Sequence, residues 1–294
     1  MKNESPILTW LSYISLLVFS VICILPFFLL ISASLTDQNS IVANGYSFLP
    51  KVFSTSAYEY LFMRGNDIIR AYGISVFITV FGTCSGLVIT LLMAYPLART
   101  ETPHRGLIMF FIFFSMLFSG GLVPTYLIYA QLLDLKNTIW ALVIPGLLTN
   151  GYYIMMMRIF MQGSISKDLI ESAQIDGAGE YRVLWSIIIP TSTPILAVIG
   201  LFTAIMYWND WQNGMIYITK PELFSIQNLL QRIMQDIQFI TNNMGANASG
   251  ALQQMPSDTV KMAIAVLGSL PILIAYPFFQ KFFIKGIMFG AVKG

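Results

Sequence analysis

AYGISVFITVFGTCSGLVITLLMAYPLA, residues 71–98, contains no Asp, Glu, Lys or Arg. A bilayer core about 30 Å thick needs roughly 20 helical residues, so this run is long enough to cross one. In lipid every backbone polar group needs a partner within the chain, which makes such a run a helix. Similar uncharged runs lie on either side of it. They predict spans over about 7–35, 71–98, 106–133, 137–158, 184–208 and 262–282. The short alternating strands of a transmembrane β-barrel are absent from the sequence.

Composition agrees. Hydrophobic residues make up 56% of the 294 and charged residues 10%, against about 25% charged in a soluble domain. Such a chain cannot clothe itself in polar groups, so lipid is its expected solvent. Sixteen basic and fourteen acidic residues nearly cancel, which excludes a nucleic-acid partner. Cys23 and Cys84 sit inside apolar runs and read as packed thiols rather than a disulfide or metal site. The first run is about twice the length of a signal-peptide core and is expected to be a retained helix.

An even number of spans puts both termini on one side. Nine basic residues then fall in the short segments on that side and seven in the longer ones opposite. The positive-inside rule places both termini in the cytoplasm. The predicted architecture is one all-α integral membrane domain over 1–294, with outer loops at 37–70 and 210–261.

The spans lack the intramembrane carboxylates and histidines that ion-driven carriers commonly use, and the one histidine, His104, falls in a turn. A sodium site built from backbone carbonyls stays open as an alternative. The phosphate-binding pattern G-x-x-x-x-G-K-[ST] does not occur. If the chain performs active transport, the energy enters through another polypeptide.

The segment 165–190, ISKDLIESAQIDGAGEYRVLWSIIIP, joins the fourth and fifth predicted spans. Ile165, Leu169 and Ala173 form an i, i+4, i+8 stripe, with Ser166 as N-cap. Asp176-Gly177 predicts a turn with positive φ. Tyr181, Leu184, Trp185 and Ile188 then restart a helical stripe. Periodicity alone fits either an interfacial hairpin that steadies the bundle or a docking element.

The spacing Glu171-Ser-Ala173, then Asp176-Gly177-Ala178, then Pro190 resembles the EAA loop of bacterial ABC importer permeases. Ser172 stands where that motif has Ala. Other stretches extend the likeness: Ser119–Tyr126, Asn137–Pro145, Tyr207–Trp211 and the tail 283–294. Together they resemble the smaller permease subunit of maltose-type carbohydrate importers, within that class the rhamnogalacturonan/lipoprotein-type oligosaccharide permeases.

The resemblance implies a type I importer fold: six transmembrane helices and a cytoplasmic coupling helix. It implies that Glu171, Ala173, Asp176 and Gly177 engage a separate ATPase. Glu171 would make polar contacts, Ala173 would allow close approach, and Asp176 and Gly177 would form the elbow. The implied partners are a second permease in a heterodimer, two ATP-binding-cassette subunits holding ATP and Mg, an extracellular solute-binding protein, an oligosaccharide and membrane lipid. No cofactor is expected on this chain, and no enzymatic activity.

A substrate path is expected to involve Tyr126, Tyr207, Trp208, Asn209, Asp210 and Trp211. The two tryptophans read equally as interface anchors. Gly120, Gly121 and Pro124 read either as packing and bending residues or as pore-lining ones. In the second outer loop, Leu223, Ile226, Leu230, Ile233, Ile237 and Ile240 predict an amphipathic helix. The polar stretch 241–254 after it is either a connector or a finger that reaches into the binding protein.

Overall fold

The computed structural model describes residues 6–63, 65–243 and 257–291. Every regular element among them is helical, and one isolated bridge pairs Thr36 with Phe53. The chain divides into two compact units, residues 1–68 with 230–271, and residues 69–229 with 272–294.

In the first unit, α1 (Pro6–Ser34) is a long apolar helix, and α2 (Gln38–Asn44) and α3 (Ser56–Phe62) follow it. The Asp37 carboxylate accepts from the Asn39 and Ser40 amides and caps α2. α4 (Gly65–Ala98) contains the uncharged run 71–98 and lies almost wholly in the second unit.

In the second unit the chain continues through α5 (Arg105–Leu117), α6 (Leu122–Tyr126), α7 (Gly151–Ser164), α8 (Lys167–Ile175), α9 (Glu180–Val183), α10 (Ile189–Thr191), α11 (Thr193–Asn209) and α12 (Gln212–Tyr217). α13 (Ile226–Asn243), mostly in the first unit, and α14 (Ser257–Ala291), shared between the two units, complete the order. α13 is the expected amphipathic helix, with Ile226, Leu229, Leu230, Ile233 and Ile237 buried. Gln38 Oε1 accepts from the backbone amides of Asp258 and Thr259, 3.1 Å each, and so caps the start of α14. The polar stretch 244–256, which carries most of the expected finger, lies outside the described residues.

Among the described residues two helices are long and apolar enough to cross a bilayer, Thr9–Ser34 and Gly65–Ala98. Two further helix pairs are apolar enough only when taken together, and both are bent. Arg105–Leu117 meets Leu122–Leu132 at 116°, and Glu180–Thr191 meets Thr193–Asn209 at 76°. The first break follows from Gly121, whose φ of 82° suits glycine and few other residues. The second falls at Ser192, between Pro190 and Pro194, where missing amide donors interrupt the helical ladder.

The expected helix over 137–158 is also interrupted. Ile139–Leu142 forms a 3₁₀ turn, Gly146 takes φ 71°, and α7 begins only at Gly151. Uncharged composition thus marked the apolar segments but not their continuity. The thiols of Cys23 and Cys84 are exposed rather than packed, because each sits on an apolar helix face that its own chain does not cover.

The second unit has two apolar cores. One gathers Leu91, Leu97, Ile154, Met157, Val183, Leu184 and Ile188. The other gathers Ile78, Ala141, Leu142, Tyr207, Tyr217 and Ile218.

Candidate functional site

The segment 165–190 forms helix, glycine elbow, helix, as the sequence predicts. α8 ends in a Schellman arrangement. The Ala178 amide donates to the Ala173 carbonyl (2.9 Å) and the Gly177 amide to that of Gln174 (3.0 Å). Gly177 has φ 84°. Asp176 is the C-cap residue, and its backbone makes the turn. Ser166 holds the N-cap position, but its hydroxyl makes no capping bond.

The faces differ from the predicted stripes. Ile165, Ile170, Ala173 and Ala178 pack against the core, whereas Leu169 is exposed. Ile165 precedes the helix in extended conformation, so helical spacing counted from it misassigns the next turn. In the second half Val183, Leu184 and Ile188 are buried, while Tyr181 and Trp185 are exposed. A π-helical turn over Leu184–Ile188 changes the period there. Ala173 therefore faces its own chain. Glu171 points outward and pairs with Lys167 at 3.3 Å.

Sequence reasoning missed the residues that hold this segment. Arg99 Nη1 lies 2.6 and 2.7 Å from the two carboxylate oxygens of Glu180. The Tyr95 hydroxyl and Gln174 amide also donate to Glu180, at 2.7 and 3.0 Å. The Tyr95 hydroxyl and then the Arg99 guanidinium hold the Glu180 carboxyl below its usual range. Lys167 reaches Glu101 at 3.0 Å. That hydrogen bond, with help from the Glu101 backbone and the Thr100 hydroxyl, brings the Glu101 carboxyl down to about 2. Charges so far apart in sequence carry no local signal of their pairing.

The other expected site residues separate into two groups. Tyr207 and Trp208 are 1% and 6% exposed and belong to the core. The Tyr207 hydroxyl donates to the Val143 carbonyl at 2.8 Å, and Trp208 packs on Tyr72. Asn213 donates to the Pro145 carbonyl. Asn137 Oδ1 accepts from the Thr219 and Lys220 amides. The stretches 137–145 and 207–220, read separately in the sequence, thus form one hydrogen-bonded knot.

Asn209 and Trp211 are exposed. Asp210 Oδ1 accepts from the Asn213 amide, while Oδ2 is buried without a hydrogen-bond partner. Burial raises the Asp210 carboxyl above its usual range. Tyr126 is half-buried and stacks on the buried Tyr217, with centroids 5.8 Å apart and planes 11° from parallel.

Apolar helices, two pairs of them bent, and a glycine-terminated, outward-facing loop fit a membrane permease subunit. Comparison with known proteins agrees. The chain is 38% identical to the polygalacturonan/rhamnogalacturonan transport system permease protein YtcP of Bacillus subtilis (strain 168), over all of both chains. It is 38% identical to Protein LplC of the same organism, over 93% of this chain and 90% of that one. A solved bacterial ABC transporter involved in the import of the acidic polysaccharide alginate contains a chain with TM-score 0.79 and 29% identity. That match covers 96% of this chain and 99% of that one. No family profile matches the chain. The chain belongs to the permease subunits of ABC sugar-transport systems, which are membrane proteins and not enzymes themselves.

Proposed function

We propose that this chain forms half of the translocation pathway of an ATP-driven importer for an oligosaccharide or polysaccharide fragment. It crosses the bacterial cytoplasmic membrane six times with both termini inside. α1, α4, the two bent pairs, α7 and α14 supply the crossings. A second permease completes the pathway. Two ATPase subunits bind ATP and Mg, and an extracellular binding protein delivers the sugar.

One observation carries the coupling reading: α8 has no buried residue, yet its end is fixed by a Schellman turn and it presents Leu169, Glu171 and Ile175 outward. A short, exposed helix with a rigid exit suits a lever that another protein grips. Apolar side chains this exposed at a polar membrane face are ordinarily covered by a partner. The relatives named for rhamnogalacturonan and galactooligosaccharides support the substrate class.

The test is reconstitution of the four-subunit complex with its binding protein in proteoliposomes. ATP-dependent uptake of oligogalacturonides or galactooligosaccharides is expected, and amino acids should not be taken up. Uptake driven by an ion gradient without the ATPases would instead establish a secondary carrier.

A further inference from the structure

The end of α4 and α8 do not pack tightly together. A cavity of about 400 Å³ opens beside them, lined by Tyr95, Arg99, Glu101, Lys167, Glu171 and Gln174 among others. Ile165 and Ile170 also line it and rest on the core, but the bonds that cross the gap are made by polar side chains. Lys167–Glu101 is one link, but its side chains are 65% and 47% exposed, and exposed pairs of this kind contribute little.

The Arg99–Glu180 link is different. The Arg99 side chain is 22% exposed and that of Glu180 54%, so what sets this link apart is its number of donors: the Glu180 carboxylate accepts from Arg99, Tyr95 and Gln174 together. Charge-assisted bonds within a network are stronger than isolated neutral ones. The same end of α4 is held from α7 as well. Arg158 Nε donates to the Leu97 carbonyl (3.0 Å) and Gln162 to that of Ala98 (3.1 Å). Gln174 sits in the last turn of α8, and Glu180 opens α9 just beyond the elbow.

We propose that the Arg99–Glu180 pair, with Tyr95 and Gln174, is the rigid link that passes a displacement of the 167–180 segment to the second span. Arg99 and Glu180 are positioning residues in this mechanism and touch neither ATP nor sugar. The inference rests on the reading of α8 as the ATPase-docking helix. Without the link, α8, which rests on the core only through the partly buried Ile170 and Ala173 beside a cavity, would deflect under load instead of carrying α4 with it.

The test uses the whole complex in nanodiscs with its binding protein. Two quantities are read: co-purification of the ATPase, and the ratio of binding-protein-stimulated to basal hydrolysis. Arg99→Glu and Glu180→Arg should each keep the ATPase bound and lower the ratio about tenfold, a coupling ordinary for neighbours in one polar network. The reversed pair Arg99→Glu/Glu180→Arg should recover to within about threefold of the parent, as should Arg99→Lys. Glu101→Gln, which removes the exposed Lys167 link and a 3.8 Å contact with Arg99, should lower the ratio by less than about twofold.

Full stimulation in either single variant overturns the link. So does a reversed pair no better than its worse parent, or loss of the ATPase from the single variants. The docking reading fails by a different result: a complex that retains its ATPase and full stimulation after deletion of 167–175.

Discussion

The Tyr207 ring lies against the backbone of Gly82. A methyl group built at Gly82 would sit 2.5 and 2.6 Å from Tyr207 Cε2 and Cε1. α4 and α11 can approach this closely only because residue 82 has no side chain, a use of small residues common between membrane helices. Gly82→Ala should therefore destabilise the permease by about 1–3 kcal/mol through overpacking. Tyr207→Phe removes the hydroxyl that satisfies the Val143 carbonyl and should cost about 1–2 kcal/mol. Thermal unfolding of the purified complex in detergent checks both. An unchanged midpoint in Gly82→Ala would mean that the helices separate readily here.

How much of this was legible in the sequence depends on the range of the signal. The Asp176-Gly177 elbow is local, set by a φ that glycine accepts, and appears as expected; of the apolar runs, 7–35 and 71–98 fall on single long helices, and the runs over 106–133, 137–158 and 184–208 are interrupted. The breaks at Gly121 and Ser192 had visible markers, the adjacent glycines and the prolines. Those markers do not say whether a helix bends or stops. Tyr207 and Trp208 looked like sugar-stacking residues because an aromatic pair beside Asn and Asp has that chemistry. Their burial depends on Gly82 and Tyr72, more than a hundred residues earlier. Arg99 and Glu180 are likewise distant in sequence, and neither predicts the other.

Gly177 offers a sharp separation of strain from bulk. Nothing lies within 4 Å of a Cβ placed there, so a substitution meets no clash, only the cost of φ 84°. That cost is about 1–2 kcal/mol for an ordinary L residue and less for Asn. Gly177→Val should disturb the elbow and uncouple hydrolysis from uptake while the spans stay folded. Gly177→Asn should retain most uptake. Measuring uptake per ATP hydrolysed in proteoliposomes distinguishes the two variants. Equal, parental ratios in both would remove the elbow from the force path.

Asp210 gives a pH dependence of known sign. Its carboxyl is raised by burial, so the folded protein holds this proton more tightly than the unfolded chain. Stability is greatest when the group is protonated. It declines as pH rises from the ordinary aspartate value of about 3.9 through the raised one. Asp210→Asn keeps an oxygen for the Asn213 amide and removes the charge beside the unpartnered Oδ2 position. It should raise stability at neutral pH by about 1 kcal/mol and flatten this part of the profile. Unfolding midpoints of parent and variant across acid to neutral pH test the point. A variant less stable than the parent at neutral pH would show that the charge is compensated.

Among the aromatic residues expected on a substrate path, Tyr126 has the geometry of a platform. One face rests on Tyr217, which is 1% exposed and is itself met edge-on by Tyr129. The backing holds the Tyr126 ring rigid, so a sugar ring could stack on it with little side-chain entropy lost. Aromatic stacking of this kind contributes about 0.5–1.5 kcal/mol. Tyr126→Ala should therefore weaken transport roughly three- to tenfold at low sugar concentration, and should also lower the unfolding midpoint because it strips the stack on Tyr217. Tyr126→Phe should transport nearly as the parent does. Trp208→Phe should lower the midpoint through lost contact with Tyr72 while sparing the concentration dependence. If Trp208→Phe alters that dependence and Tyr126→Ala does not, the path runs by the α11 end rather than past the Tyr126–Tyr217 stack.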